Sequence, residues 1–141
     1  CIASLYGGFE MLGLKLHGNL TLGENIADFG GLKASYHAWL EWFRDHHCKG
    51  IDKDEMPMTW ELCEKTAKPL LSQKQLFWIS YGQNWCDKER DQSIKMSIAT
   101  DEHSPDKFRV NGPLSQNDEF AADFACPIGS NMNPVKRCVL W

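Results

Sequence analysis

Two carboxylates, Glu24 and Asp28, have the types and spacing to do chemistry together. They lie in the stretch Thr21-Leu22-Gly23-Glu24-Asn25-Ile26-Ala27-Asp28-Phe29-Gly30-Gly31. On a helix, residues four apart share a face, about 40° apart around the axis. The two acids then project side by side. The apolar residues Leu22, Ile26, Phe29, Tyr36, Leu40 and Phe43 step by threes and fours and fall roughly opposite them. The acidic face itself carries Ala27, Gly31, Ala34, Ser35 and Ala38, small residues that let another backbone come close. Carboxylates held at a tight contact are costly unless paired or metal-bound. The pattern therefore points to a cation or a metal-bound histidine. A plainer reading also fits the spacing. Thr21-x-x-Glu24 matches a capping box, with Asp28 favouring the helix dipole.

These acids need a helix to carry them, and the periodicity predicts one over about 22–46. Gly30 and Gly31 weaken it by up to ~1 kcal/mol each relative to Ala, and a close helix contact would explain them. Residues 1–18 are apolar and glycine-punctuated, compatible with a short strand or a loop with one helical turn. Residues 48–71 are polar and irregular. Ser72-x-x-Gln75 is a capping box for a second, buried helix from 74 to about 85. Ile94, Met96 and Ile98 alternate with polar residues, which suits a strand, although so short a segment also admits a helix. Pro105 and Asn111-Gly112-Pro113 mark turns. An extended middle between them would send Phe108 and Val110 one way and Arg109 the other. A last helix is expected over about 117–126, with Phe120 and Phe124 on one face. The class is mainly α with few short strands.

The chain has 141 residues, enough for one modest domain, and 43% of them are hydrophobic. Its net charge of −4 leaves no basic surface for nucleic acid. No apolar run reaches the length of a membrane span. No initiator Met and no signal-peptide pattern opens the chain, which reads as the C-terminal piece of something longer. The cysteines are Cys1, Cys48, Cys63, Cys86, Cys126 and Cys138. An even count without a Cys-x-x-Cys pair points to disulfides, and six cysteines permit about fifteen full pairings. Cys48 and Cys63 bracket the irregular loop and could staple it. Asn19-Leu20-Thr21 is an N-glycosylation sequon. Together these favour an oxidising setting, extracellular or lumenal. His46 and His47 point about 100° apart on a helix, so His46-His47-Cys48 makes a poor metal cluster.

Three motifs carry a resemblance. Leu22-Gly23-Glu24-Asn25-Ile26-Ala27-Asp28-x-Gly30-Gly31-Leu32 resembles the glutamate-ligand segment of the neprilysin and endothelin-converting-enzyme family of zinc metallopeptidases. His103-Ser104-Pro105-x-x-Phe108-Arg109-x-x-Gly112 resembles a second motif of that family. Met132-Asn133-Pro134-x-x-x-Cys138-x-x-Trp141 resembles its C-terminus. The similarity spans the whole chain, apart from about 47–70 and from Asn84, where an apolar residue is expected.

The resemblance implies the C-terminal part of a helical, thermolysin-like zincin catalytic domain, stapled by disulfides. It implies one catalytic Zn2+, with Glu24 as its third protein ligand and Asp28 orienting a zinc-bound histidine. His103 would donate to the oxyanion formed at the scissile carbonyl. Arg109 would bind a backbone carbonyl of a peptide substrate, and Trp85 would line the specificity pocket. Cys1 would pair with Cys138, and Cys86 and Cys126 with cysteines upstream of this chain, which leaves Cys48 with Cys63. The implied protein is secreted or the ectodomain of a type II membrane protein, acting on extracellular peptides. The histidines are His17, His37, His46, His47 and His103, and none opens a His-Glu-x-x-His motif. The other zinc ligands and the general base are therefore expected in an upstream half of the same protein, and this chain alone to be inactive. The alternative is a truncated or catalytically inactive secreted homologue that acts as a binding protein.

Overall fold

The structure is a computed structural model that describes residues 1–47 and 70–140. Cys48 and Cys63, and the staple expected between them, lie outside the described residues. The order of elements is α1 (Ile2–Gly7), β1 (Glu10–Met11), β2 (Leu14–Lys15), α2 (Leu22–His47), α3 (Gln73–Gln83), α4 (Asp91–Thr100), α5 (Asp106–Ser115) and α6 (Asp118–Asp123). The class is thus mainly helical, as expected. Among the described residues no helix is long and apolar enough to cross a membrane.

The first eighteen residues combine a short helix with a hairpin. Strands β1 and β2 pair antiparallel in the register Glu10↔Lys15 and Met11↔Leu14. The two loop residues both take positive φ, 53° at Leu12 and 77° at Gly13. Two-residue hairpins favour this turn because its twist matches that of the strands. Gly13 accepts such a backbone freely, whereas Leu12 is strained by it.

Helix α2 runs through both halves of the core. Its Leu22, Ile26 and Phe29 pack on a cluster of Ile2, Tyr6, Leu16, Phe108 and Cys138. Its Leu32 and Tyr36, backed by Trp39 and Leu40, meet Trp78 and Leu114 in a second cluster. The expected apolar stripe is therefore the buried face, and Leu32 and Trp39 widen it. Burying one such side chain contributes ~1.5–3 kcal/mol. Tyr36 and Trp78 stack with centroids 4.2 Å apart, and both donate to Asp123 Oδ2, at 2.7 and 2.8 Å. The expected close contact on the opposite face is not made among the described residues. Ala27, Gly31, Ala34, Ser35 and Ala38 are exposed, and a Cβ at Gly31 would meet nothing within 4 Å.

The capping box of α3 forms as its sequence predicts. Ser72 Oγ accepts from the Gln75 N–H at 3.1 Å, and Gln75 Oε1 accepts from the Ser72 N–H at 2.9 Å. Two other expectations are corrected. Residues 91–100 are helical, because Ile94 and Ile98, four apart, face the protein while Met96 is 65% exposed. Residues 106–115 are helical rather than extended, with Pro113 inside the helix. The last helix is shorter than expected, ending at Asp123.

Pro113 has a structural consequence. It lacks the N–H that would serve the Arg109 carbonyl four residues back. The Tyr81 hydroxyl donates to that carbonyl instead, at 2.8 Å. Tyr6 likewise donates to the Phe108 carbonyl at 3.2 Å. Its ring lies so close to α5 that a Cβ on Gly112 would sit 2.2 Å from the Tyr6 oxygen. Burial, reinforced by nearby Asp28, pushes both phenols well above the ordinary tyrosine range, so they remain donors.

A disulfide joins Cys1 to Cys138 across 137 residues, the pairing that the resemblance implied. Closing a loop of that length stabilises by about 5 kcal/mol in a chain-entropy treatment. Cys1→Ser is expected to lower the unfolding free energy by ~2–5 kcal/mol, read from denaturant midpoints with and without reductant. Tyr81→Phe should cost ~1–3 kcal/mol by orphaning the Arg109 carbonyl. The cost should shrink in a Pro113→Ala background, where the missing N–H is restored. Equal costs in both backgrounds would refute the pairing of Tyr81 with Pro113.

Candidate functional site

Glu24 and Asp28 project from the first two turns of α2, on the face away from its apolar stripe. Neither behaves as the plain capping reading requires. Thr21 Oγ1 accepts from the Asn25 side-chain amide at 2.9 Å, and Glu24 turns outward to His103. The Glu24 Oε2 to His103 Nε2 distance is 3.2 Å, with the two side chains 38% and 44% exposed.

His103 sits in the loop between α4 and α5. Asp101 Oδ1 accepts from its backbone N–H at 2.8 Å and lies 2.9 Å from its Nδ1. These bonds from His103, the backbone one first, hold the Asp101 carboxyl below its usual range. Asp101 thus fixes the ring from behind while Nε2 faces Glu24. An imidazolium donates to both carboxylates, whereas a neutral ring donates to one.

Within this chain Asp28 pairs with Arg109. Arg109, one turn into α5, donates through Nε and Nη2 to the two Asp28 oxygens at 2.8 and 2.7 Å. The side chains are only 16% and 9% exposed. This fork, with the Asp28 charge behind it, raises the Arg109 pKa above its already high value. Such bidentate pairs are planar and directional, and the remaining guanidinium donors stay available. The Trp85 ring, just past the end of α3, lies 4.1 Å from the guanidinium carbon. Cation–π stacking of this kind holds the guanidinium plane in place.

The fold therefore brings Glu24, Asp28, His103, Arg109 and Trp85, drawn from four separate segments, onto one surface. Sequence reading missed Asn25, Asp101, Ser104 and Tyr81. Asp101 had a local signal, a carboxylate two residues before a histidine. Asn25 had a weaker one, a polar residue between Leu22 and Phe29 on the inward side of α2. Nothing local marked Tyr81.

Among the described residues no three His, Cys, Asp or Glu side chains converge on one point. Glu24 still fits a zinc site as one member of a larger ligand set. Its carboxylate is partly exposed, and its neighbour Ala27 is too short to cover it. Cys86 and Cys126 are thiols in this structure, the first exposed and the second partly buried. Asn19, the sequon residue, is exposed.

Comparison with known proteins gives these contacts a family. Residues 1–140 match the sequence model of peptidase family M13. An endothelin-converting enzyme homolog of Locusta migratoria is 43% identical over 143 residues, covering 100% of this chain and 18% of that protein. Human endothelin-converting enzyme-like 1 is 42% identical over 141 residues, covering 100% of this chain and 16% of that protein. Neprilysin-2 of Drosophila melanogaster is 43% identical over 145 residues, covering 100% and 17%. The chain thus spans less than a fifth of the length of these relatives. Among solved structures, a Haemonchus galactose-containing glycoprotein complex superposes with a TM-score of 0.79 at 36% identity, covering 100% of this chain and 22% of that one. A Mycobacterium tuberculosis zinc metalloprotease in an open state superposes with a TM-score of 0.77 at 23% identity, covering 99% and 20%, and shows the shared fold. With a family match across nearly its whole length, the chain belongs to peptidase family M13, alongside neprilysins and endothelin-converting enzymes.

Proposed function

We propose that this chain is the C-terminal segment of the catalytic domain of a zinc-dependent endopeptidase that hydrolyses extracellular peptides. The observation that carries the reading is the convergence of Glu24 and His103 with the Asp28–Arg109–Trp85 strip on one surface. An exposed sequon asparagine and the Cys1–Cys138 disulfide support the extracellular setting.

Glu24 is the residue here that would hold zinc, completing a set supplied by the rest of the protein. Zinc, when bound, lowers the pKa of a coordinated water towards ~7 and polarises a scissile carbonyl. The chain's own residues do the remaining work. His103, its Nδ1 fixed by Asp101, presents Nε2 to a developing oxyanion. Donors pre-set in this way act more strongly on the transition state than on the substrate. Arg109 offers its unused N–H groups to a backbone carbonyl of the peptide, and the Asp28 fork and the Trp85 ring keep it from turning away. Trp85 supplies an apolar wall beside that carbonyl.

A single carboxylate cannot grip zinc, so the chain alone should neither bind the metal tightly nor cleave peptides. Calorimetric zinc titration of these 141 residues should show no tight stoichiometric site, and finding one would overturn this division of labour. At the length of its relatives, the protein should lose most of its zinc on Glu24→Gln, read as metal per molecule after dialysis. His103→Phe should keep the metal while kcat drops ~100- to 1,000-fold. Arg109→Lys, which keeps the charge but not the fork, should raise KM for peptide substrates several-fold. A wild-type protein that binds peptides without turning them over would instead be the inactive, binding homologue.

A further inference from the structure

The exposed Glu24–His103 contact cannot set its own geometry. Charged contacts in solvent contribute little and give way readily. Directly beneath it runs a second contact between the neighbouring residues. The Ser104 hydroxyl donates to Asn25 Oδ1 at 2.8 Å, and the Asn25 amide donates to Thr21 Oγ1 at 2.9 Å. Asn25 is wholly buried, at 0% exposure, with Ser104 at 3% and Thr21 at 4%. A buried hydrogen bond resists breaking because each separated group would be left without a partner or water.

The covalent arrangement makes the inner bond govern the outer one. Consecutive residues on a helix point about 100° apart, so Glu24 faces out where Asn25 faces in. On the other side, His103 and Ser104 are consecutive. Pro105 follows and restricts Ser104 to extended backbone. Displacing the Ser104 oxygen therefore moves the His103 backbone, which also carries the N–H held by Asp101.

We infer that the Thr21–Asn25–Ser104 chain is a positioning device that sets the distance and angle between Glu24 and the His103 imidazole. Asn25 and Ser104 are positioning residues, with no contact to substrate required of them. The inference rests on the peptidase reading of the preceding section.

The test is steady-state peptide hydrolysis by the protein at the length of its relatives, compared at a temperature well below its melting point. Ser104→Ala should lower kcat ~10- to 100-fold, the scale expected when a reacting group is misplaced by about an ångström. KM should stay within about twofold, because Arg109 and Trp85 are untouched. His103→Phe should then cost much less in the Ser104→Ala background than in the wild type. Ser104→Cys preserves volume and weakens the donor, so it serves if the alanine variant fails to fold, and its kcat should fall in the same direction. A folded variant with lower thermal stability but unchanged kcat would overturn the inference and make the chain a packing feature. Full additivity of Ser104→Ala with His103→Phe would overturn it as well. A wild-type protein without hydrolytic activity would sink the peptidase reading itself and take this inference with it, an outcome visible before any variant is made.

Discussion

The bidentate ion pair between Asp28 and Arg109 holds two helices of this structure in register. It joins α2 to α5 across 81 residues of sequence, with both side chains nearly buried. Removing one partner of such a pair leaves the other charge unpaired in a poorly solvated place, which typically costs ~3–5 kcal/mol. Replacing the whole pair with apolar residues is often neutral. The pair therefore specifies geometry more than it adds stability. It dictates which face of α5 turns to α2, and with it where the guanidinium lies.

Everything near the pair is arranged to keep α5 in place. Tyr81 supplies the donor that Pro113 withholds. Tyr6 presses on Gly112 so closely that no side chain fits there. Phe108 stacks on Phe9 with centroids 4.8 Å apart, fastening the helix to the hairpin and so to Cys1 and Cys138. A proline in the last turn would ordinarily loosen a short helix. Here a side chain from another helix fills the gap, which ties the orientation of Arg109 to the position of α3. The polar contacts of the surface thus inherit their precision from the apolar core beneath them.

The same logic separates strong from weak members of the site. Glu24, Asp101 and His103 are substantially exposed and mutually adaptable. Asn25, Ser104, Asp28 and Arg109 are buried or nearly so, and each is hydrogen-bonded to another side chain of the protein. A surface built this way leaves Glu24, Asp101 and His103 open to solvent while neighbouring residues are fixed from inside. Among the described residues, the exposed small-residue face of α2 beside Glu24 leaves the approach to the carboxylate clear.

Much of this was legible in the residues alone. Helical period placed Glu24 and Asp28 on one face and buried the opposite stripe, because a 3.6-residue repeat is a local property. The Ser72–Gln75 box announced the start of α3 for the same reason. Motif resemblance marked His103, Arg109 and Trp85 and paired Cys1 with Cys138. Local pattern misjudged residues 91–100 and 106–115, where short apolar alternations fit a strand and a helix equally well and only packing chose. The partner of Arg109, the partner of Asn25 across the chain and the service of Tyr81 to a proline-starved carbonyl had no sequence signature at all. They depend on distances between residues 28 to 81 positions apart, and such distances exist only once the helices have packed.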